Sequence, residues 1–244
     1  MKKLIKVPLV LALAAILSAC NKKDLEIDAC AIDQSKVVTQ QLNIAPFEKI
    51  RISGDFDVQF VQDPKQNVIV TLESNLIDNL NKSVINKEWK LEFVNCENKK
   101  TDIPVIISVP DLKAIDISNA SSAKSLNEFK LTEVLISTHG NGSIIMDISG
   151  ETVTVLADGP GNITLSGKAN QLNANSLGSG TGYLHLKNFL VPKASVNIKG
   201  AALSEVSVTD KLDVNIEGSG KVFYTGNPVV TSNISGSGSV EQSK

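Results

Sequence analysis

The chain has 244 residues, of which 42% are hydrophobic but only 4% aromatic, and 24 basic residues face 26 acidic ones for a net charge of −2. Arg51 is its single arginine, so the sequence offers neither the basic face that nucleic acid requires nor an arginine set for bidentate anion recognition. Its length suits one sizeable core or two modest ones.

The N-terminus reads as an export signal. A basic start, "MKKLIKV", precedes the apolar run "PLVLALAAIL" and the small residues of "LSAC". This is the layout of a secretory signal peptide over residues 1–19, too short for a spanning helix. Cysteine directly after Leu-Ser-Ala resembles a bacterial lipobox, which makes Cys20 the expected lipidated first residue of the mature chain. An ordinary signal peptide followed by a chance cysteine is the alternative. Acyl chains on Cys20 would hold the protein to a membrane without spanning it, and the expected location is the cell envelope, with the outer membrane favoured. Residues 20–45 then form a polar tether and leading segment. Residues 1–19 carry three lysines and no acid, so the mature chain would have 21 bases against 26 acids, a net charge of −5. Cys30 and Cys96 would be the thiols left in an oxidising compartment, and they form a candidate disulfide.

Between residues 46 and 118, "FEKIRISGDFDVQFVQ" reads as two strands around a corner at Gly54, followed by a strand in "NVIVTLES". "NLIDNLNKSV" reads as one or two helical turns with Asn75 as N-cap. "EWKLEFVN" and "IPVIISVP" follow as strands. This region is expected to form longer, irregular coils of a single domain over 46–242; a separate β-sandwich is the alternative.

From residue 119 the chain repeats. Rows such as "VLISTHGNGSIIMDI", "VTVLADGPGNITLSG" and "LDVNIEGSGKVFYTG" share a glycine corner at Gly140, Gly159, Gly178, Gly200, Gly218 and Gly236, spaced 19, 19, 22, 18 and 18 residues apart. In a degenerate earlier row, "IDISNASSAKSL", Asn119 stands where the glycine would be; asparagine is the next most tolerant residue of a left-handed backbone. Apolar residues alternate before and after each corner, so each row reads as strand, tight corner, strand and polar connection. Strands this short cannot bury one face alone. Stacked at about 4.8 Å they can, as coils of 18–22 residues in an all-β, single-stranded parallel β-helix, expected to be right-handed. Asn, Ser and Thr could form ladders at the corners. The recurring Gly-Ser-Gly lacks the Gly-Lys-Ser/Thr and following helix of a phosphate loop, so it is architecture.

Residues 46–240 resemble the head GIN domain family of auto-transporter adhesins, on the phrases "FEKIRISGDFDVQFVQ", "WKLEF" and "VIISVPDLKAIDISNASS" together with the glycine rows. The resemblance implies a β-helix, a Bacteroidetes-type lipoprotein and an adhesin label, and brings no catalytic motif with it.

The chemistry visible in the sequence is sparse. His139 and His185 have no metal-ligand spacing around them, and alternation points His185 outward. Asp55 and Asp57 flank Phe56 and could act as an acid pair or bind a cation, but such pairs are more often a solvated face. "GNGSI", "GPGNI" and "GSGKV" lack the aspartate of calcium-binding nonapeptides. Trp89, Tyr183 and Tyr224 are the candidate sugar platforms, with core packing favoured for Trp89 and a buried register for Tyr224. The sequence therefore reads as a non-catalytic envelope adhesin or binding module with no cofactor and no nucleic-acid partner. Its expected partners are the membrane, through the lipid, and an unknown protein or glycan. The open last row "NISGSGSVEQSK" adds an expectation of weak self-association. A polysaccharide-processing or glycan-binding β-helix protein is the alternative.

Overall fold

A computed structural model describes residues 36–94, 101–178 and 182–243. The chain forms a parallel β-solenoid of about seven turns. Strands β2 (Lys49–Gly54) and β3 (Phe56–Gln62) make the first coil, with the chain turning at Gly54. This coil is not at the end of the stack. β2 lies between β6 (Glu88–Leu91) and β8 (Ala114–Asn119), and β3 lies between β7 (Ile103–Val109) and β9 (Ser122–Ser125), all parallel. After Gln62 the chain doubles back to build a cap and then the coil below, and β8 resumes above the first coil.

The cap is antiparallel. β4 (Asn67–Glu73) pairs with β7 on one side and with β1 (Val37–Leu42) on the other, and β5 (Val84–Ile85) pairs with β6. Helix α1, Ser74–Ile77, follows β4 and buries Leu76 and Ile77. The helical segment is one short turn, and Asn75 lies inside it; the N-cap position is Glu73, without a side-chain cap. The seventeen strands of the described residues belong to one hydrogen-bonded sheet, so the front region is not a separate sandwich.

Above β8 the rungs stack in sequence order through β10 (Phe129–His139), β11 (Ser143–Asp158), β12 (Asn162–Ser176), β13 (Tyr183–Gly200) and β14 (Leu203–Gly218). The stack ends in the paired halves β15 (Lys221–Thr225), β16 (Val229–Gly236) and β17 (Ser239–Gln242). The expected polar connections between rows are themselves strand. β11 runs from one corner to the next, with ladder partners from both neighbouring rows on either side of Glu151.

The inward positions form one continuous apolar interior. Ile52, Ile117, Ala157, Ile198 and Ile216 are fully buried on one wall, and Val58, Ile144, Ile163, Leu184 and Val222 on the other. Removing a large side chain from such a wall costs about 2–5 kcal/mol. Bulky rings collect in the wide lower coils. Phe47 packs on Trp89 at 5.4 Å and Phe56 on Phe93 at 5.7 Å between ring centroids. Trp89 is fully buried and donates its indole N–H to the Asn81 carbonyl at 3.0 Å. Outside, the Glu48 carboxylate joins the coils by accepting Lys87 Nζ at 2.5 Å and Lys113 Nζ at 2.6 Å.

The corners line up in two vertical seams. Gly54 pairs with Asn119, which lies under Gly140, and the seam continues through Gly159 and Gly178; higher up, Gly200, Gly218 and Gly236 are in register. Most of its members need a left-handed backbone, with φ +130° at Gly218 and +64° at Asn119. The second seam, which includes Gly142, Gly161, Gly220 and Gly238, is about proximity. A Cβ on Gly161 would sit 2.6 Å from the Gly142 carbonyl oxygen. In the degenerate row Ser121 takes this second place, and its hydroxyl donates to the Gly54 carbonyl at 3.2 Å.

Two predictions follow from this packing. Gly218→Ala combines a forbidden φ with a Cβ 2.5 Å from the Gly200 carbonyl oxygen, and should cost about 2 kcal/mol or more in denaturant titration. Asn119→Gly, which keeps the left-handed corner accessible, should stay within about 1 kcal/mol of the parent. Hydrogen bonds from Lys113 and then Lys87 lower the Glu48 pKa from 4.5 to about 2. Glu48 therefore favours folding above pH 4.5, and that contribution fades as pH falls towards 2. Glu48→Gln should flatten this limb of a stability–pH profile, with the largest deficit near neutrality.

Candidate functional site

Because rungs repeat in register, residues far apart in sequence become vertical neighbours on the outer face. One column runs Arg51, Asp116, Ser137, Leu156, Asn175, Asn197, Asn215 and Asn233. Its upper half is an amide ladder. Asn197 Nδ2 donates to Asn175 Oδ1 and Asn233 Nδ2 to Asn215 Oδ1, each at 3.0 Å. The ladder stands on the strand face and not at the corners, since each asparagine lies three residues before its corner glycine and points outward from a paired strand.

The lower half is charged. Arg51 Nε donates to Asp116 Oδ2 at 3.1 Å, and Ser137 Oγ donates to Asp116 Oδ1, also at 3.1 Å. His139, from the adjacent column, places Nε2 3.3 Å from Asp116 Oδ1 and Nδ1 3.7 Å from Asp158 Oδ2. Higher in that column Lys199 Nζ lies 3.7 Å from Glu217 Oε2. His139 at its corner is thus bracketed by carboxylates from the rungs below and above. Asp116 is occupied by arginine, serine and histidine together, on a face and not in a cleft, which suits cross-bracing of rungs better than proton transfer.

A second cluster lies on the other wall. His185 and Glu205 face each other across β13 and β14, with Phe223 of β15 next to Glu205. His185 Nδ1 is 3.5 Å from Glu205 Oε2, and the His185 ring lies 3.5 Å, centroid to centroid, from that of Tyr183. Burial first, and then the hydrogen bond to Glu205, push the Tyr183 phenol up to about 12. Two rings and a carboxylate are thereby held together, all half-buried, with Phe223 alongside. Sequence reading placed Tyr183 and His185 but missed Glu205 and Phe223. The signal was present in the alignment of "GYLHL", "ALSEV" and "GKVFY" as successive rows.

The other expected residues are distributed differently. Asp55 and Asp57 are not a working pair. Asp55 lies in the corner and accepts the Asp102 backbone N–H of the coil below, whereas Asp57 accepts the Ser122 hydroxyl of the coil above at 2.8 Å. Trp89 belongs to the core, and Tyr224 is half-buried against it. Cys20, Cys30 and Cys96, with the lipidation and disulfide expectations they carry, lie outside the described residues. Among the described residues no group of three or more His, Cys, Asp or Glu side chains is placed to hold a metal ion. None of the described helices is long and apolar enough to cross a membrane. A shallow groove of about 560 Å³ at the cap end, lined by residues such as Lys49, Ile85, Glu88 and Lys90, includes no residue of either cluster.

The fold and this surface define a β-solenoid whose outer face is a set of side-chain ladders. The chain belongs to the family described as "Putative auto-transporter adhesin, head GIN domain", whose family model matches residues 46–228. Solved structures share the fold. A protein called a putative adhesin from Bacteroides fragilis superposes with a TM-score of 0.76 at 18% identity, covering 85% of this chain and 97% of its own. One called a putative adhesin from Parabacteroides merdae gives 0.74 at 21%, covering 86% and 98%. A third, called a putative lipid binding protein from Parabacteroides distasonis, gives 0.72 at 22%, covering 86% and 98%. No curated protein matches the chain.

The chain has two tyrosines, Tyr183 and Tyr224. A near-ultraviolet titration of tyrosinate should show Tyr183 ionising late, near pH 12, and Tyr183→Phe should remove that late step. The raised value favours the folded state below pH 10, and this contribution is lost as pH rises towards 12.

Proposed function

We propose that the protein is a non-catalytic binding module of the cell envelope, an adhesin type held to a membrane, with the outer membrane favoured, through lipid on Cys20. The observation that carries this reading is the state of the outer wall. Asp116, His139, Lys199, Glu205 and Glu217 are each engaged by a neighbouring rung, and the ladders form an extended face without a cleft. Such a face is rigid and polar and suits contact with a large partner; catalysis favours a concave site with groups held at shifted protonation. Family membership agrees with an adhesin at the cell surface or envelope.

One observation favours a glycan as the ligand in a second reading. Tyr183, His185 and Phe223 bring rings to one carboxylate, Glu205, and rings with a hydroxyl-accepting carboxylate can engage a sugar. On a glycan array this reading expects hits that Tyr183→Ala removes, and an array without hits overturns it.

The main reading is tested with cells carrying the full chain. Wild-type protein should enter the detergent phase on phase separation, and Cys20→Ala should move it to the aqueous phase. Protease added to intact cells should digest it. Purified protein should release no oligosaccharide from envelope or host polysaccharides. Release that Asp116→Asn or His139→Ala abolishes would replace the binding module with an enzyme.

A further inference from the structure

The two ends of the solenoid are built differently. At the cap end the interior is roofed: Leu42, Ile44, Leu72, Leu76, Ile77 and Leu80 are all buried. At the other end the last rung is bare. Among the described residues β16 pairs with β14 alone and β17 with β15 alone, so one edge of each presents unpaired backbone groups. The interior columns end exposed there as well. Ile198 and Ile216 are fully buried, whereas Ile234, next above them in the same column, is 39% exposed. Val230 and Val240 are half-buried above fully buried Leu212 and Val222.

No charged residue lies along β16. From Gly226 to Val240 there is no Lys, Arg, Asp or Glu, whereas β14 just below carries Glu205, Asp210, Lys211, Asp213 and Glu217. Natural sheets commonly protect an edge with charges, a strand-interior proline or a bulge. Inside β16 and β17 the one charged residue is Glu241, beyond the uncharged run.

We infer that this bare rung is a docking surface for a second copy of the same chain, joined end to end about a two-fold axis. The two-fold reverses the direction of winding, so β16 meets its counterpart antiparallel while Val230 and Ile234 still point inward and continue the core. The uncharged run meets an uncharged run, so no like charges are brought together. Head-to-tail stacking would instead place the bare apolar interior on the roofed cap, where no matching interior is open.

The geometry has a consequence that rests on the lipid-anchored adhesin reading. β1 lies in the cap, so the segment leading back to Cys20 leaves from the end remote from the docking rung. About seven turns at ~4.8 Å give each solenoid a length of roughly 35 Å. A joined pair therefore places its two Lys36 ends, where the described chain begins, at opposite ends of a rod of roughly 70 Å. Paired this way, the protein bridges two facing membrane surfaces, and its adhesive partner is itself.

The test uses the full lipidated chain. In detergent, light scattering across a concentration series should give a protein mass that rises to twice that of the chain. Val230→Lys with Ile234→Lys should weaken pairing by about tenfold or more, since unpaired charges would be buried; Leu135→Lys, on the side wall, should leave it unchanged. An equimolar mixture of the double-lysine chain with one carrying Val230→Glu and Ile234→Glu should recover the dimer, which shows that the variants remain folded. A wild-type chain that stays monomeric throughout, or a mixture that stays monomeric while both variants keep their strand circular dichroism, overturns the docking surface. The protein is then placed on phosphatidylethanolamine–phosphatidylglycerol vesicles of two colours. Wild type should cluster the colours, and the double-lysine chain should not. Dimers in detergent without clustering would overturn the membrane bridge while leaving the pairing in place.

Discussion

The structure depends on how closely one turn of backbone lies on the next at the corners. Along most of each strand the ladder sets the spacing and leaves room for side chains, Gly150 and Gly167 being crowded exceptions. At the corner the chain must turn within three residues and still lie against the turn below, where a Cβ on Gly161, Gly218, Gly236 or Gly238 would approach a carbonyl oxygen to within 2.3–2.6 Å. Two different demands meet there: a left-handed φ at the first corner residue and absence of bulk at the second. Asn119 and Ser121 show that the two demands are separable. Asparagine satisfies the first through its tolerance of φ +64°, while serine satisfies the second by turning its hydroxyl into a hydrogen bond to the Gly54 carbonyl.

Once the corners fix the register, the surface follows. A residue three positions before a corner glycine on one rung must stand beside the corresponding residue on the next, so repetition of asparagine in "NANSLG", "VNIKG", "VNIEG" and "SNISG" becomes an amide ladder without further design. Where the repetition lapses, different groups are juxtaposed. Arg51, Asp116 and His139 come from the irregular lower coils, and their pairings span 65 residues in one direction and about 20 in the other. That long span exists because the first coil is inserted between two later ones. The lower end therefore combines non-local strand pairing with the bulky aromatic core, and it cannot be completed until the chain has emerged well past Ser122.

The regular half of the fold was legible in the sequence because glycine spacing and two-residue alternation report the same strand–corner–strand unit. The order of the lower coils was not legible: "FEKIRISG" and "LKAIDISN" look like successive rows, and nothing local says that residues 63–113 leave and return between them. Of the four residues by which the Gly178–Gly200 spacing exceeds the next, two fall between Gly178 and Tyr183, and two are the net of opposite shifts in register between Leu186 and Leu190 and between Val191 and Lys193, where Phe189 is buried and Leu190 is left half-exposed. Similarly, Asp55 and Asp57 looked like a pair because alternation was assumed to run through the corner. The corner breaks it, and each carboxylate serves a different neighbour. Of the surface clusters, single residues were visible from their rows, but their neighbours depended on register between rows.

A solenoid of this kind concentrates its chemistry along walls and at its ends, and these differ in what they can do. Along a wall each side chain has a neighbour above and below at strand spacing, so charges and amides satisfy one another and the surface becomes stiff. At an end that mutual satisfaction stops. The cap at the lower end replaces it with antiparallel strands and a short helix that close over Leu72 and Leu76. The upper end keeps the parallel rung, the open backbone and the exposed Ile234, all within an uncharged run. The same ladder that makes each interior rung stable by its neighbour makes the final rung incomplete without one. The asymmetry between a roofed end and an unroofed one gives an otherwise repetitive rod a direction.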